Sequence, residues 1–434
     1  MDMLREVANK LFQEYWSAND VIAEAVYDKL EELGVDLDDN LSEVISLKID
    51  DFLRESDHKD DFDNDLKTLA ENISKDIDAS KYDYQQFSLS TQDIEQVLER
   101  IFTSLKEFVV KKSAENLSEA WKKDSHRLLE IRRKDANYFQ SLLDSVWRKP
   151  LFLLEMLIDI SRDLVTKFLE EIAENPKDEI SHIALQQLTL RGLQVADEIY
   201  LLLKNGYADG AEARWRTLSE IMVVTVFIGE HGPETAKRYL AHSVITNHKE
   251  IRELINTYSP EEWDEDEYKY YLDELKKLEK LKTIMIEEYG NSFKNDFGWA
   301  AHIVENPSIR TLEKAIGLHQ NRPRYMSANR NVHSGSESIQ ERLGNNPFSD
   351  SIATGQSTFG IAEPGRQTAF ALCRLVSVLI LKRPSLDHQA ELKALLKLRN
   401  EIYEEFEKVH EEQLQAEIDN IENNNADDPD FEGS

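Results

Sequence analysis

Two stretches of this chain repeat apolar residues at alternating steps of three and four. In the first, Leu185, Leu188, Gly192, Val195, Ile199 and Leu202 fall on one helix face. Asn205-Gly206 then breaks the pattern, and Gly206 suits the left-handed conformation that ends a helix. The second stretch resumes by Ala208 and carries the seam through Ala211, Trp215, Leu218 and Met222. Residues 221–228 (IMVVTVFI) bear no charge on any face, so this part of the second helix is expected to be enclosed by others. Its β-branched residues would also suit a strand, but no turn signal interrupts the helical period before Gly229. The pair reads as an antiparallel helical hairpin.

The remainder is organised by its turn residues. The first 149 residues hold no proline and one glycine, Gly34, which predicts long helices over 2–33, 41–54, 66–77 and 91–134. The connectors 56–65 and 80–90 separate them, and Ser90-Thr91 ahead of Asp93 and Glu95 reads as a helix start. Gly232-Pro233 closes the hairpin and opens a helix to about residue 258. Ser259-Pro260 opens a charged, coiled-coil-like one that ends at Gly290. The segment 306–366 contains Pro307, Pro323, Pro347 and Pro364, and reads as loops with short helices between them. Helices over 367–381 and 387–420 follow, parted by Pro384. No stretch alternates in the manner of a strand. The expected fold is an all-α multi-helix bundle. It divides into an N-terminal helical region (1–135), a central bundle (136–385), a C-terminal helix (386–420) and an acidic, disordered tail (421–434).

Charge changes this picture at one place. The chain carries 84 acidic residues against 52 Lys and Arg, a formal net charge of -32. Between residues 306 and 336 the sign reverses: Arg310, Lys314, Arg322, Arg324 and Arg330 stand against Glu313 alone. A basic island on an acidic chain is a natural seat for an anion, whether RNA or a smaller ligand. The acidity elsewhere argues against nucleic-acid or membrane-surface binding over the whole protein. No stretch has the roughly 20 uncharged apolar residues that cross a bilayer. The single cysteine, Cys373, excludes an intramolecular disulfide and reads as a buried small hydrophobe, consistent with a cytoplasmic setting.

Within the island, SANRNVHSG places His333 beside Asn329 and Arg330 on one helix face. Neighbouring guanidinium groups disfavour the imidazolium, leaving a neutral ring able to accept a proton from a ribose 2′-hydroxyl. Arg330 and Arg324 would then stabilise the charge that develops, and Asn329 would position the substrate. The alternative is a helix-terminal histidine bonded to backbone or to Ser334, with Gly335 ending the helix. In the binding version, Arg310, Arg322, Arg324 and Arg330 form the ligand cradle. Glu212, Arg216 and Glu220 form a ladder on one helix face, and Arg216–Glu220 is read as a buried structural ion pair entering the charge-free run. A second basic patch holds Lys122, Lys123, Arg127, Arg132, Arg133 and Lys134, and reads as a solvated helix face. No metal-ligand spacing and no glycine-rich phosphate cradle occurs, so neither a metal nor a cofactor is expected.

The string RGLQVADEIYLLLKNGYADGAEARWRTLSEI, with Arg216-x-Leu218-x-Glu220 near its end, resembles the hairpin of a bacterial all-helical family of unknown function. YMSANRNVHSG resembles that family's second signature, and the likeness spans about 151–381. The arginine-plus-histidine arrangement is also distantly similar to the HEPN superfamily, which includes defence ribonucleases. That likeness would imply metal-independent RNA cleavage in stress or anti-phage defence. In those enzymes four to six residues separate the arginine from the histidine, whereas Arg330 stands too close to His333 and Arg324 too far. The departure favours a cytoplasmic interaction or sensor module with an anion pocket around His333. Apolar seams at 188–202 and 275–285, together with the final helix, would support a homo-oligomer.

Overall fold

The computed structural model describes residues 91–174, 180–332, 336, 342–348 and 354–426. The helices expected over 2–33, 41–54 and 66–77 lie outside the described residues. All regular structure among the described residues is helical. The chain forms two compact units, Met1–Asp135 and Ala136–Ser434. In chain order the helices are α1 (Thr91–Glu174), α2 (Ile180–Lys204), α3 (Ala208–His231), α4 (Pro233–Ala241) and α5 (Ser243–Thr257). They continue with α6 (Glu265–Tyr289), α7 (Ile309–Ala315), α8 (Arg322–Arg330), α9 (Ala362–Ile380) and α10 (Leu386–Ala426). Short 3-10 turns stand between several of them.

Of the first unit, the described part is the opening of α1, where Trp121 is 64 % exposed. Lys122, Lys123, Arg127, Arg132, Arg133 and Lys134 are exposed there too, and Lys134 reaches Glu130 at 3.2 Å.

In the second unit α3 is the central element, packed against α2, α7, α8 and α9. The charge-free run explains why: Met222, Val223, Thr225, Val226, Phe227 and Ile228 are all buried. Removing such side chains from water stabilises the fold by roughly 1.5–3 kcal/mol each. Helix α9 lies against α2, α3 and α10. Gly365 in α9 admits the ring of Phe406 from α10, which would lie 2.5 Å from any added Cβ. Cys373 is buried here, and burial pushes its thiol up to about 12.

Several boundaries differ from the sequence reading. Helix α1 starts at Thr91 as expected but runs far beyond residue 134, through Pro150. An internal proline removes one backbone bond and costs about 3 kcal/mol. Here Trp147, Leu151, Leu154 and Leu157 beside it are all buried, and that burial offsets the cost. The helix expected over 233–258 divides at His242, which is buried and donates Nε2–H to the Asn295 carbonyl at 2.8 Å. Helix α10 continues to Ala426, into the segment expected to be a disordered tail. The seam at 188–202 is buried within the bundle, with Leu188, Gly192, Val195 and Ile199 under α3 and α9, so it offers no face to a second copy.

The α2–α3 turn is fixed by Gly206, whose φ of 75° a side chain rarely adopts. Its carbonyl accepts from Ser357 N at 2.9 Å, and Asn205 O accepts from Gln356 Nε2 at 3.0 Å. Asp209, one turn on, accepts from Leu343 N at 2.8 Å. These bonds moor the segment before α9 to the tip of the hairpin.

Candidate functional site

Helix α8 carries the basic island into the bundle, and its two sides serve different layers. Tyr325 and Ala328 are buried, because residues three apart share the face turned to α3. The Tyr325 hydroxyl donates a short hydrogen bond to Glu220 on α3. Burial first, and that carboxylate second, push the phenol up to about 12. Arg216 lies over the Tyr325 ring at 5.2 Å and reaches Glu220 at 3.0 Å. Arg322 covers the same ring at 4.8 Å and stands 3.6 Å from the buried Glu313 of α7. Burial raises the Glu313 carboxyl above its ordinary value, and Arg322 opposes that rise. This layer holds α3, α7 and α8 together by alternating carboxylates and guanidinium groups around one phenol.

The α3 ladder differs from its expected form. Arg216 pairs with Glu220, but both are only half-buried, at 28 % and 35 % side-chain exposure. The enclosed carboxylate is Glu212, 3 % exposed, whose Oε2 has no hydrogen-bond partner among the described residues. Burial pushes its pKa up to about 8; Glu363 and Asp209 add repulsion, and Arg324 partly offsets it.

Tyr325→Phe keeps the ring under both arginines and removes only the hydroxyl. We expect urea unfolding to show a loss of about 1–3 kcal/mol, the range for a hydrogen bond to a charged group. Unchanged stability would mean that the bond to Glu220 contributes nothing.

The outer side of α8 faces α9 and α10. Arg324 Nε reaches Glu363 on α9 at 2.9 Å. Glu363 also accepts from Arg366, and Arg366 in turn pairs with Glu407 on α10. A cleft of about 220 Å³ opens here, lined by Asn321, Arg324, Arg366, Gln367, Phe370, Arg399, Asn400 and Tyr403. Arg366 lies over the Tyr403 ring at 4.9 Å, and Arg374 lies over Phe370 at 5.7 Å. Arg399 donates to the Oδ1 of the neutral Asn400 from both Nε, at 3.2 Å, and Nη2, at 2.7 Å, and has no carboxylate partner among the described residues.

The structure therefore parts the island. Arg322 turns inward to Glu313, Arg324 goes to the cleft, and Arg310 is exposed on α7. Arg330 has a partner of its own, and Asn329 is half-buried with Oδ1 unbonded among the described residues. His333 lies outside the described residues. The sequence reading missed Arg366 and Arg399, which α9 and α10 bring to Arg324. A signal was present: Arg366-Gln367-x-x-Phe370 and Arg399-Asn400-x-x-Tyr403 share one spacing, arginine, carboxamide, then an aromatic one turn on. Positions three and four apart share a helix face, so each helix presents the same three chemistries to the cleft.

Both family-like strings, the hairpin and the α8 segment, meet at Arg216, Glu220 and Tyr325. Residues 182–351 match the model of a family of unknown function, DUF5677. No curated protein and no solved structure gives a significant match. The DUF5677-like segment is narrower than the likeness read from sequence; it includes α2, α3 and α8 and stops before α9. The cleft thus combines one helix of the DUF5677-like segment with two beyond it. Among the described residues no group of three or more His, Cys, Asp or Glu stands ready to hold a metal ion, and no helix is long and apolar enough to cross a membrane.

Proposed function

We propose that the chain is a helical binding module that takes a small anion into the cleft between α8, α9 and α10. The observation that carries this reading is the meeting of Arg324, Arg366 and Arg399 at one opening, on a chain of net charge -32. Glu363 and Glu407 compensate Arg324 and Arg366. Arg399 keeps its charge, and its planar fork of N–H groups matches a carboxylate or phosphate edge. Two further features fit a binding role: the lining carboxamides can complete the ligand's hydrogen bonds, and the ion pairs hold the guanidinium groups in place before the ligand arrives. The alternative is RNA cleavage by His333 with Arg330, Arg324 and Asn329; the pairing of Arg324 with Glu363 supports the binding reading over it.

The test is thermal protection of the full chain by acetate, benzoate, phosphate and sulfate at constant ionic strength. An anion at a hundred times its Kd should stabilise the protein by about 2.7 kcal/mol. We expect at least one to do so in the parent and none in Arg399→Gln. Equal protection of both proteins, or none of either, would overturn the proposal.

A further inference from the structure

We infer that the anion is a small aromatic carboxylate, one planar ring bearing a single carboxylate group. This rests on the anion-binding reading above and narrows it. The first argument is size. A cavity of about 150 Å³ accommodates one benzene ring. The cleft's 220 Å³ thus has room for a single ring with a carboxylate-sized group.

The second argument is charge. Of the three lining arginines, two already face Glu363 and Glu407, and Arg399 has only a neutral partner among the described residues. One unmatched guanidinium suits a monoanion. A phosphate dianion would bring surplus charge toward the two carboxylates. Asn400 Oδ1 takes the Nε–Nη2 edge of Arg399, and the Nη1–Nη2 end of the guanidinium offers two parallel N–H groups to a carboxylate edge.

The third argument is surface chemistry. The cleft is lined by Phe370 and Tyr403, and Tyr403 is 47 % exposed although Arg366 covers part of its ring. Aromatic faces beside guanidinium planes favour a flat ligand over a branched aliphatic one. Each aromatic recurs at the same offset from an arginine on its own helix, so ring and charge are presented together from both sides.

Titration calorimetry on the full chain tests this with benzoate, acetate, benzamide, inorganic phosphate and adenosine monophosphate. Benzoate should bind about tenfold or more tightly than acetate or phosphate, and benzamide, which has the ring without the charge, should show no binding. Arg399→Gln should weaken benzoate by about tenfold or more, and Tyr403→Leu by a smaller factor. Acetate equal to benzoate would overturn the ring assignment and leave the anion reading standing. So would tighter binding of phosphate or the nucleotide. Benzamide equal to benzoate, or no binding of any anion, would overturn both.

Discussion

Replacing Glu212 by Gln should stabilise this protein at neutral and alkaline pH, and the gain should vanish in acid. The carboxyl is 3 % exposed and unbonded at Oε2 among the described residues, and burial pushes its pKa from an ordinary 4.5 up to about 8. Below pH 4.5 the folded and unfolded chains both hold the proton, so the group has no pH-dependent effect. As pH rises from there, the unfolded chain releases its proton while the folded chain keeps it. Stability falls until about pH 8 and then levels. At pH 7 the accumulated loss is on the order of 2–4 kcal/mol, since each unit is worth about 1.4 kcal/mol. The amide cannot ionise and escapes that loss. Urea unfolding at pH 5 and pH 7.5 decides the matter: near equality at the lower pH and a clear advantage for the variant at the higher. A variant less stable at both would show that the carboxylate is compensated.

Glu212 also bears on the cleft. Glu363 raises its pKa and Arg324 lowers it, and these two residues belong to the ion-pair chain at the opening. A protonated Glu212 leaves Arg324 to Glu363, which is the arrangement the binding proposal uses.

The second large effect is expected at Trp147. Its side chain is fully buried, its ring sits 5.9 Å from that of Phe406, and Nε1 donates to the Thr358 carbonyl at 2.8 Å. Gln413 on α10 bonds the same Thr358 through its hydroxyl at 3.1 Å. One indole therefore joins α1, the segment before α9, and α10. Trp147→Ala removes the ring and leaves a cavity, costing about 3–5 kcal/mol. Trp147→Phe keeps most of the packing and leaves the carbonyl with only the longer bond from Gln413 Nε2 at 3.3 Å, costing about 0.5–1.5 kcal/mol for the lost hydrogen bond. Denaturant midpoints should fall in that order at similar slopes. A change below about 1 kcal/mol for the alanine variant would contradict the packing described.

The hairpin was legible because its information is local. Leu185 to Leu202 and Ala211 to Met222 show their period within one segment, and Gly206 marks the turn between them. Helix α1 runs past its expected end at residue 134 and through Pro150, a residue that ordinarily ends a helix, and only tertiary packing around Trp147 and Leu154 shows why it is tolerated. The site was legible in part. Counting arginines found the island, but counting cannot see which carboxylates arrive from elsewhere. Glu313 takes Arg322 inward, and Glu363 holds Arg324 at the cleft. Arg399 lies far along the chain from Arg324, so no window of sequence contains both. The repeated arginine–carboxamide–aromatic spacing was visible, but its meaning depends on α9 and α10 packing side by side.

The central claim is that Arg399 contacts an anion in this cleft. The most direct measurement follows its side-chain Nε–Hε resonance, assigned by its loss in Arg399→Gln, as acetate, benzoate and phosphate are added in turn at constant ionic strength. A saturable shift is expected with at least one of these anions, while the resonance of the exposed Arg310 stays still. An Arg399 signal that never moves, or that drifts without saturating alongside Arg310, would contradict it.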